Sequence, residues 1–128
     1  MNNKRVDCIF CSIPRGRIIS ENDLTFAIRD NYPVTTLHSL IIPKRHVADY
    51  FSLTKDELLS CDALLKEVKN SIKAEDESVK AFNVGINSGE AAGQTIFHCH
   101  IHLIPRRVGD VENPRGGIRQ LIPGKGDY

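Results

Sequence analysis

The sequence lacks several features that would each have indicated a class of function. No stretch approaches the roughly 18 apolar residues of a membrane-spanning helix, and the first residues lack the apolar run of a secretory signal peptide. Basic and acidic residues nearly balance, at 17 Lys and Arg against 16 Asp and Glu, so no overall charge favours nucleic acid or a membrane surface. We therefore expect a cytoplasmic protein without nucleic-acid or membrane partners, in which phosphate recognition is local.

Internal repeats, low-complexity stretches and linkers rich in Pro, Gly or Ser are also missing. A chain of 128 residues that is 41% hydrophobic and 26% charged has the composition of one globular domain and can bury a continuous core. We predict a single domain over 1–128, with a largely irregular tail at 109–128. In a cytoplasmic protein its four cysteines would be reduced unless they bind metal.

The secondary structure follows from apolar patterning and turn signals. Strands are predicted at 17–21, 24–28, 37–42, 79–86 and 95–104. From Thr54 the chain reads Thr-Lys-Asp-Glu, a capping-box pattern that predicts a helix of roughly twenty residues. The predicted buried stripe of this helix is Leu58, Cys61, Leu65, Val68 and Ile72. Strands interrupted by one long helix favour an α+β fold with an antiparallel sheet.

Three of the five histidines stand at alternate positions of the last predicted strand: His98, His100 and His102. Alternate side chains of a strand share one face at a spacing of about 6.5–7 Å, so the three imidazoles would form a row. Groups that titrate near neutral pH can hold a metal, bind a phosphate, or act as nucleophile and acid. The row is the strongest indication of function in the sequence.

A second feature is Cys8-Ile-Phe-Cys11, the short spacing of two thiolates that share a zinc ion. As a redox motif it would need a thioredoxin-like βαβ context, which the sequence lacks. As a disulfide it would need an oxidising compartment, which conflicts with the expected location. Zinc binding is the favoured interpretation.

These segments together resemble the histidine triad (HIT) superfamily over nearly the whole chain. The resemblance rests on Cys8-Ile-Phe-Cys11, His38-Ser-Leu-Ile-Ile-Pro-Lys-Arg-His46, Gly93-Gln94-Thr95 and the row His98-Cys-His100-Ile-His102-Leu-Ile. Each piece stands in the family's order and at about its spacing. Residues 26–38 are closer to the fragile-histidine-triad and diadenosine tetraphosphate hydrolase branch.

The resemblance implies a HIT-like fold with an antiparallel five-stranded sheet, one long helix and a short N-terminal helical segment. It implies a homodimer, whose C-terminal tails would shape specificity. It also implies that Cys8, Cys11, His46 and His98 together bind zinc. A site closed by four protein ligands would be structural, not catalytic.

The same resemblance assigns the catalytic roles. His100 would attack the α-phosphorus of a nucleotide and form a covalent nucleotidyl-histidine. His102 would contact the phosphoryl oxygens or the bridging oxygen, and His38 would orient the row. A covalent intermediate divides one difficult displacement into two easier ones.

The segment before the row predicts a phosphate-binding loop. Glycines let backbone N–H groups approach an anion closely, so Asn87, Gly93, Gln94 and Thr95 are predicted to hold the α-phosphate. A simple connecting loop is the alternative when the segment is taken alone. Asp30 falls where the family places a residue against the ribose hydroxyls, and a slip of one position would substitute Asn31.

We therefore expect a nucleotide hydrolase or nucleotidyl transferase that acts on an adenine dinucleoside polyphosphate, with diadenosine tetraphosphate as the model substrate. One alternative is a purine nucleoside phosphoramidase, which uses the same covalent chemistry with an amine leaving group. A nucleotide-binding regulatory protein with little turnover is the alternative from a different class.

Overall fold

A computed structural model describes residues 5–128. Over these residues the sheet consists of β1 (Ile18–Glu21), β2 (Thr25–Arg29), β3 (Ser39–Pro43), β4 (Val79–Gly85) and β5 (Ile101–Arg107). The helix α1 (Lys55–Glu75) lies between β3 and β4, and short 3-10 turns occur at Arg15–Arg17, Tyr50–Ser52, Glu90–Ala92 and Gly117–Leu121. In this part of the chain we find no helix with the length and apolar character that crossing a bilayer requires.

The five strands form one antiparallel sheet in the order β1-β2-β3-β5-β4. The connection through α1 carries the chain from central β3 to edge strand β4, after which β5 returns between them. This arrangement confirms the predicted α+β fold with an antiparallel sheet and one long helix. It also places β5 beside β3, where Ser39 pairs with Leu103 and Leu40 with His102.

The prediction of a strand over 95–104 is wrong at both ends, since β5 runs from Ile101 to Arg107. His98 and His100 precede the strand. The ladder between β3 and β5 ends at the pair Ile41 and Ile101. Farther along β3 lies Pro43, which has no N–H and therefore cannot donate a hydrogen bond to a neighbouring strand. The Pro43 carbonyl instead accepts a hydrogen bond from the His98 ring, and the Cys99 N–H donates to Val47.

The helix begins as its sequence predicts. Thr54 is the N-cap, its hydroxyl accepts from the Glu57 N–H, and the Glu57 carboxylate accepts from the Thr54 N–H, which completes the capping box. Glu57 is only 4% exposed and also accepts two hydrogen bonds from Arg45. The predicted stripe needs two corrections. Leu64 is fully buried while Leu65 only borders the core, and Leu58 is half-buried and lies outside the core cluster.

Side chains alternate across the sheet and divide the core in two. On one face, Ala27, Ile41, Ile101 and Leu103 pack against α1. On the other face, Phe26, Ile28, Leu40 and Ile42 pack with Phe10 from the N-terminal segment. His102 pairs with Leu40 in the sheet and alternates with Ile101 and Leu103, so it lies on the face opposite α1.

Candidate active site and metal cluster

A cavity of about 320 Å³ opens on the face of the sheet opposite α1. Eight of the residues that the sequence singled out line it: Asp30, Asn31, His38, Asn87, Gly93, Thr95, His100 and His102. Further lining residues are Ile28, Leu40 and Ile96, together with Phe10 of the N-terminal segment. Histidines, a carboxylate and a glycine-containing loop therefore meet in one partly apolar pocket, which is the composition of a small-molecule binding site.

His100 is held in one orientation. Its Nδ1 lies 2.8 Å from the His98 carbonyl oxygen, and its ring meets the edge of Phe10 at a centroid distance of 5.0 Å. A carbonyl can only accept a hydrogen bond, so Nδ1 carries the proton and Nε2 keeps its lone pair. Only 9% of the His100 surface is exposed, and the residue lines the cavity.

His38 and His102 form a hydrogen-bonded pair beside His100. The His38 Nε2 lies 2.9 Å from the His102 Nδ1 and 3.5 Å from an Asp30 carboxylate oxygen. His38 precedes β3 and follows Leu37, which has a left-handed backbone with φ of 73°. The fold thus brings together three predicted site residues, of which His38 and His102 are 64 positions apart.

The loop before the histidine row is held in shape by Gln94, a residue that the sequence predicts to contact the phosphate. The Gln94 carboxamide accepts from the Gly89 N–H and donates to the carbonyls of Ala48 and Ile96. Gln94 does not line the cavity, because its buried side chain makes these contacts inside the loop. Gly93 closes a 3-10 turn with φ of 91°, a conformation that glycine adopts without strain. Asn87, Gly93 and Thr95 remain at the cavity surface.

Cys8, Cys11, His46 and His98 form a compact cluster whose ligand atoms all lie within 4.8 Å of one another. The Sγ–Nδ1 distances are 3.4 Å from Cys8 to His98, 3.2 Å from Cys11 to His46 and 3.5 Å from Cys11 to His98. In a tetrahedral zinc site with bonds of ~2.0–2.3 Å, ligand atoms are ~3.3–3.8 Å apart. Both the donor set and its spacing fit zinc.

His98 is prepared to act as a neutral ligand. Burial lowers its pKa, and its Nε2 lies 2.8 Å from the Pro43 carbonyl, so Nε2 carries the proton. The Nδ1 lone pair therefore faces the two thiols. A backbone acceptor on the distal nitrogen is the usual way of orienting a metal-bound histidine.

A family model described as the HIT domain matches residues 14–109. The chain belongs to the HIT family. A HIT-like protein from Mycoplasma genitalium, named as uncharacterized, is 36% identical over 108 residues, covering 81% of this chain and 76% of that protein. An adenylylsulfatase from Arabidopsis thaliana is 38% identical over 108 residues, covering 81% of this chain and 54% of that protein. This chain thus spans about half of the latter.

A solved HIT structure has a similar fold and contains zinc. It is a Zn-bound histidine triad family protein from Mycobacterium smegmatis, with 33% identity and a TM-score of 0.74, covering 81% of this chain and 78% of that one. Membership of the HIT family places the chain among nucleotide-binding proteins with hydrolase and transferase chemistry. The closer resemblance to diadenosine tetraphosphate hydrolases stays a prediction.

Two contributors to this HIT site were not foreseen from the sequence. Phe10 packs between the two functional clusters, with its ring centroid 6.0 Å from that of His98 and 5.0 Å from that of His100. Its place between Cys8 and Cys11 was the available signal. Val34 donates its backbone N–H to the His38 Nδ1 at 3.0 Å. A pattern of side chains cannot predict this hydrogen bond, because its donor is a backbone N–H.

The buried histidine pair predicts a pH-dependent stability. Burial lowers the pKa of His102 from 6.5 to about 4, and burial also lowers the pKa of His38. Between these pH values the unfolded chain is protonated at His102 while the native chain is not. The free energy of unfolding should therefore decrease as pH falls from about 6.5 to about 4. For His102 alone we expect a loss of up to about 2 kcal/mol at pH 5 relative to pH 7.

Urea unfolding of the wild type and His102→Asn at both pH values measures this contribution. The variant should show the smaller loss, since asparagine does not titrate. An equal loss in the two proteins would contradict the assignment to His102. Matching the metal content of the two samples keeps the metal cluster out of the comparison.

Proposed function

We propose that this HIT protein is a nucleotide hydrolase or nucleotidyl transferase that cleaves at the α-phosphate of an adenine dinucleoside polyphosphate. The observation that carries the proposal is the hydrogen bond from the His100 Nδ1 to the His98 carbonyl, which leaves the Nε2 lone pair available on a ring that lines the cavity. An imidazole fixed in this tautomer is prepared to act as a nucleophile.

In the first step, the His100 Nε2 lone pair forms a bond to the α-phosphorus while the bond to the bridging oxygen breaks. The leaving group departs with that electron pair. The His98 carbonyl stabilises the positive charge that develops on the ring through the Nδ1 proton. Water then attacks the nucleotidyl-histidine, the P–N bond returns its electrons to His100, and a mononucleotide and a proton are released.

The other cavity residues are assigned to substrate binding. We propose that Asn87, Gly93 and Thr95 contact the α-phosphate together with His102, and that Asp30 binds the ribose hydroxyls. Gln94 would act from behind by holding the loop in shape. Apolar Ile28, Leu40 and Ile96 offer surface for the base. By the family resemblance we also propose a homodimer.

We propose that zinc bound by Cys8, Cys11, His46 and His98 is structural. The metal would supply folding energy and a fixed position for His98, with no open coordination site for substrate. His98 joins the two sites, because its side chain belongs to the metal cluster while its carbonyl orients His100. The cluster would then act on catalysis only by positioning the nucleophile.

One specific observation favours a second candidate substrate. The relative from Arabidopsis thaliana is named an adenylylsulfatase, so an adenylyl sulfate is a reasonable alternative for this chain. Attack on its α-phosphorus would release sulfate instead of a nucleotide. The nucleoside phosphoramidase stays the alternative with an amine leaving group.

Product release from a panel of adenylyl compounds tests the proposal. Purified protein would be incubated with diadenosine tetraphosphate, adenosine 5′-phosphosulfate and adenosine 5′-phosphoramidate, and AMP formation followed by chromatography. We expect the highest kcat/KM with diadenosine tetraphosphate. Preference for the sulfate or the amidate would replace that substrate assignment. Nucleotide binding without turnover of any compound would support the regulatory alternative.

A further inference from the structure

The backbone N–H of Val34 is the first donor in a series of hydrogen bonds that leads into the cavity. It lies 3.0 Å from the His38 Nδ1. An amide N–H can only donate, so the His38 Nδ1 must provide a lone pair. A neutral imidazole carries one ring proton, which in His38 is therefore on Nε2.

The next contact transmits this polarity to His102. The His38 Nε2 faces the His102 Nδ1 at 2.9 Å and an Asp30 carboxylate oxygen at 3.5 Å. Because His38 is the donor here, the His102 Nδ1 must accept, and the proton of neutral His102 is on its Nε2. Burial favours the neutral form of both rings, which agrees with this assignment.

We propose that the Val34 N–H sets the tautomers of both histidines and thereby makes His102 a fixed hydrogen-bond donor toward the substrate. The catalytic part rests on the proposed function. A donor at the His102 Nε2 would stabilise negative charge on the phosphoryl oxygens as His100 attacks. The opposite tautomer would present a lone pair to those oxygens and repel them. Val34 is thus a positioning residue that acts through His38 and His102.

The Val34 hydrogen bond also distinguishes a metal site from a hydrogen-bonded relay at the cluster of Asp30, His38 and His102. The ligand atoms of Asp30, His38 and His102 lie within 4.8 Å of one another, a spacing that would suit a metal ion. A metal needs the lone pair of the His38 Nε2, whereas the Val34 contact puts the proton there. The cluster is therefore a directed hydrogen-bond relay in this protein.

The relay is anchored through the segment between Val34 and β3. The Thr35 hydroxyl donates to the Pro105 carbonyl at 2.7 Å, and the His38 N–H donates to the Thr35 carbonyl at 3.1 Å. Leu37 completes the turn in its left-handed conformation. The Val34 side chain is 71% exposed, so changes at this position alter little core packing. Because this side chain also lines the cavity, only the comparison with a variant that keeps the N–H isolates the effect of the hydrogen bond.

Two replacements at position 34 remove the donor. Val34→Pro eliminates the N–H, and an amide-to-ester replacement that keeps the valine side chain does so with less change in shape. Val34→Ala is the matched control, since it keeps the N–H. The histidine tautomers are measured by 15N NMR of the free protein. The kinetic constants kcat and KM are measured with the best substrate of the adenylyl panel.

In the wild type and Val34→Ala we expect both His38 and His102 to carry the proton on Nε2. Without the donor, His38 should shift toward the Nδ1 tautomer, and kcat should fall about 10- to 100-fold with a smaller change in KM. The kcat of Val34→Ala should exceed that of Val34→Pro by about tenfold or more.

The NMR result is independent of turnover, so it distinguishes failure of the relay from failure of the proposed function. A wild-type His38 protonated on Nδ1 would overturn the proposal, even if Val34→Pro did not fold. Unchanged tautomers in the folded ester variant would also overturn it. Shifted tautomers with unchanged kcat would overturn the positioning role.

Discussion

Replacing His100 by alanine is expected to lower kcat by roughly 10³-fold or more, because the variant has no atom that can form the covalent intermediate. The test is steady-state release of AMP from the best substrate of the panel. Loss of covalent labelling by a radiolabelled adenylyl substrate should accompany the loss of turnover. Undiminished turnover in the alanine variant would remove His100 as the nucleophile.

Two matched variants separate chemistry from folding at this position. His100→Asn keeps a side-chain N–H that can donate to the His98 carbonyl, so it should stay folded while remaining as inactive as alanine. His100→Gly leaves a space beside Phe10 that free imidazole can occupy, and added imidazole should restore part of the activity. Absence of rescue in folded His100→Gly would weaken the nucleophilic assignment.

Replacing Cys11 by serine is expected to give the largest loss of stability. Cys11 lies within 3.5 Å of both histidines of the metal cluster, and zinc in the proposed structural role would contribute directly to the free energy of folding. We expect a loss of about 3 kcal/mol or more, which corresponds to a decrease in Tm of roughly 10 °C or more for a domain of this size. Calorimetry and elemental analysis of the same sample measure both effects.

Cys61→Ala is the control for loss of a thiol outside the cluster. Cys61 is buried against the sheet in the α1 core, so this variant should lose some stability but keep one zinc per chain. A strong chelator should lower the Tm of the wild type and of Cys61→Ala, and leave that of Cys11→Ser nearly unchanged. Equal zinc content in all three proteins would contradict the proposed ligand set.

The sequence predicts the strands and the helix because their signals are local. The capping box at Thr54 and Glu57 determines the start of α1 within a few residues of chain, and apolar alternation marks the strands. The start of β5 is different, because it depends on Pro43, a residue 55 positions before His98. A pattern of alternating histidines cannot show that the ladder ends between His100 and Ile101.

In the candidate site, too, some features could be predicted from the sequence and others could not. Resemblance to the HIT motifs identified residues that lie close together in the structure. Asp30 and His100 line one cavity, and Cys8 and His46 belong to one cluster. The direction of each hydrogen bond could not be predicted, since it depends on groups such as the Val34 N–H and the His98 carbonyl. Every chain carries these groups at every position, so their use is a property of the fold.

Glu57 links the start of the helix to the metal cluster. One buried carboxylate accepts the Thr54 N–H and two hydrogen bonds from Arg45, which is adjacent to His46 in the sequence. Fraying of the first turn of α1 would therefore release Arg45 and loosen the backbone that carries His46, a proposed zinc ligand. We expect the two regions to exchange their amide hydrogens as one cooperative unit, with zinc raising the opening free energy of both.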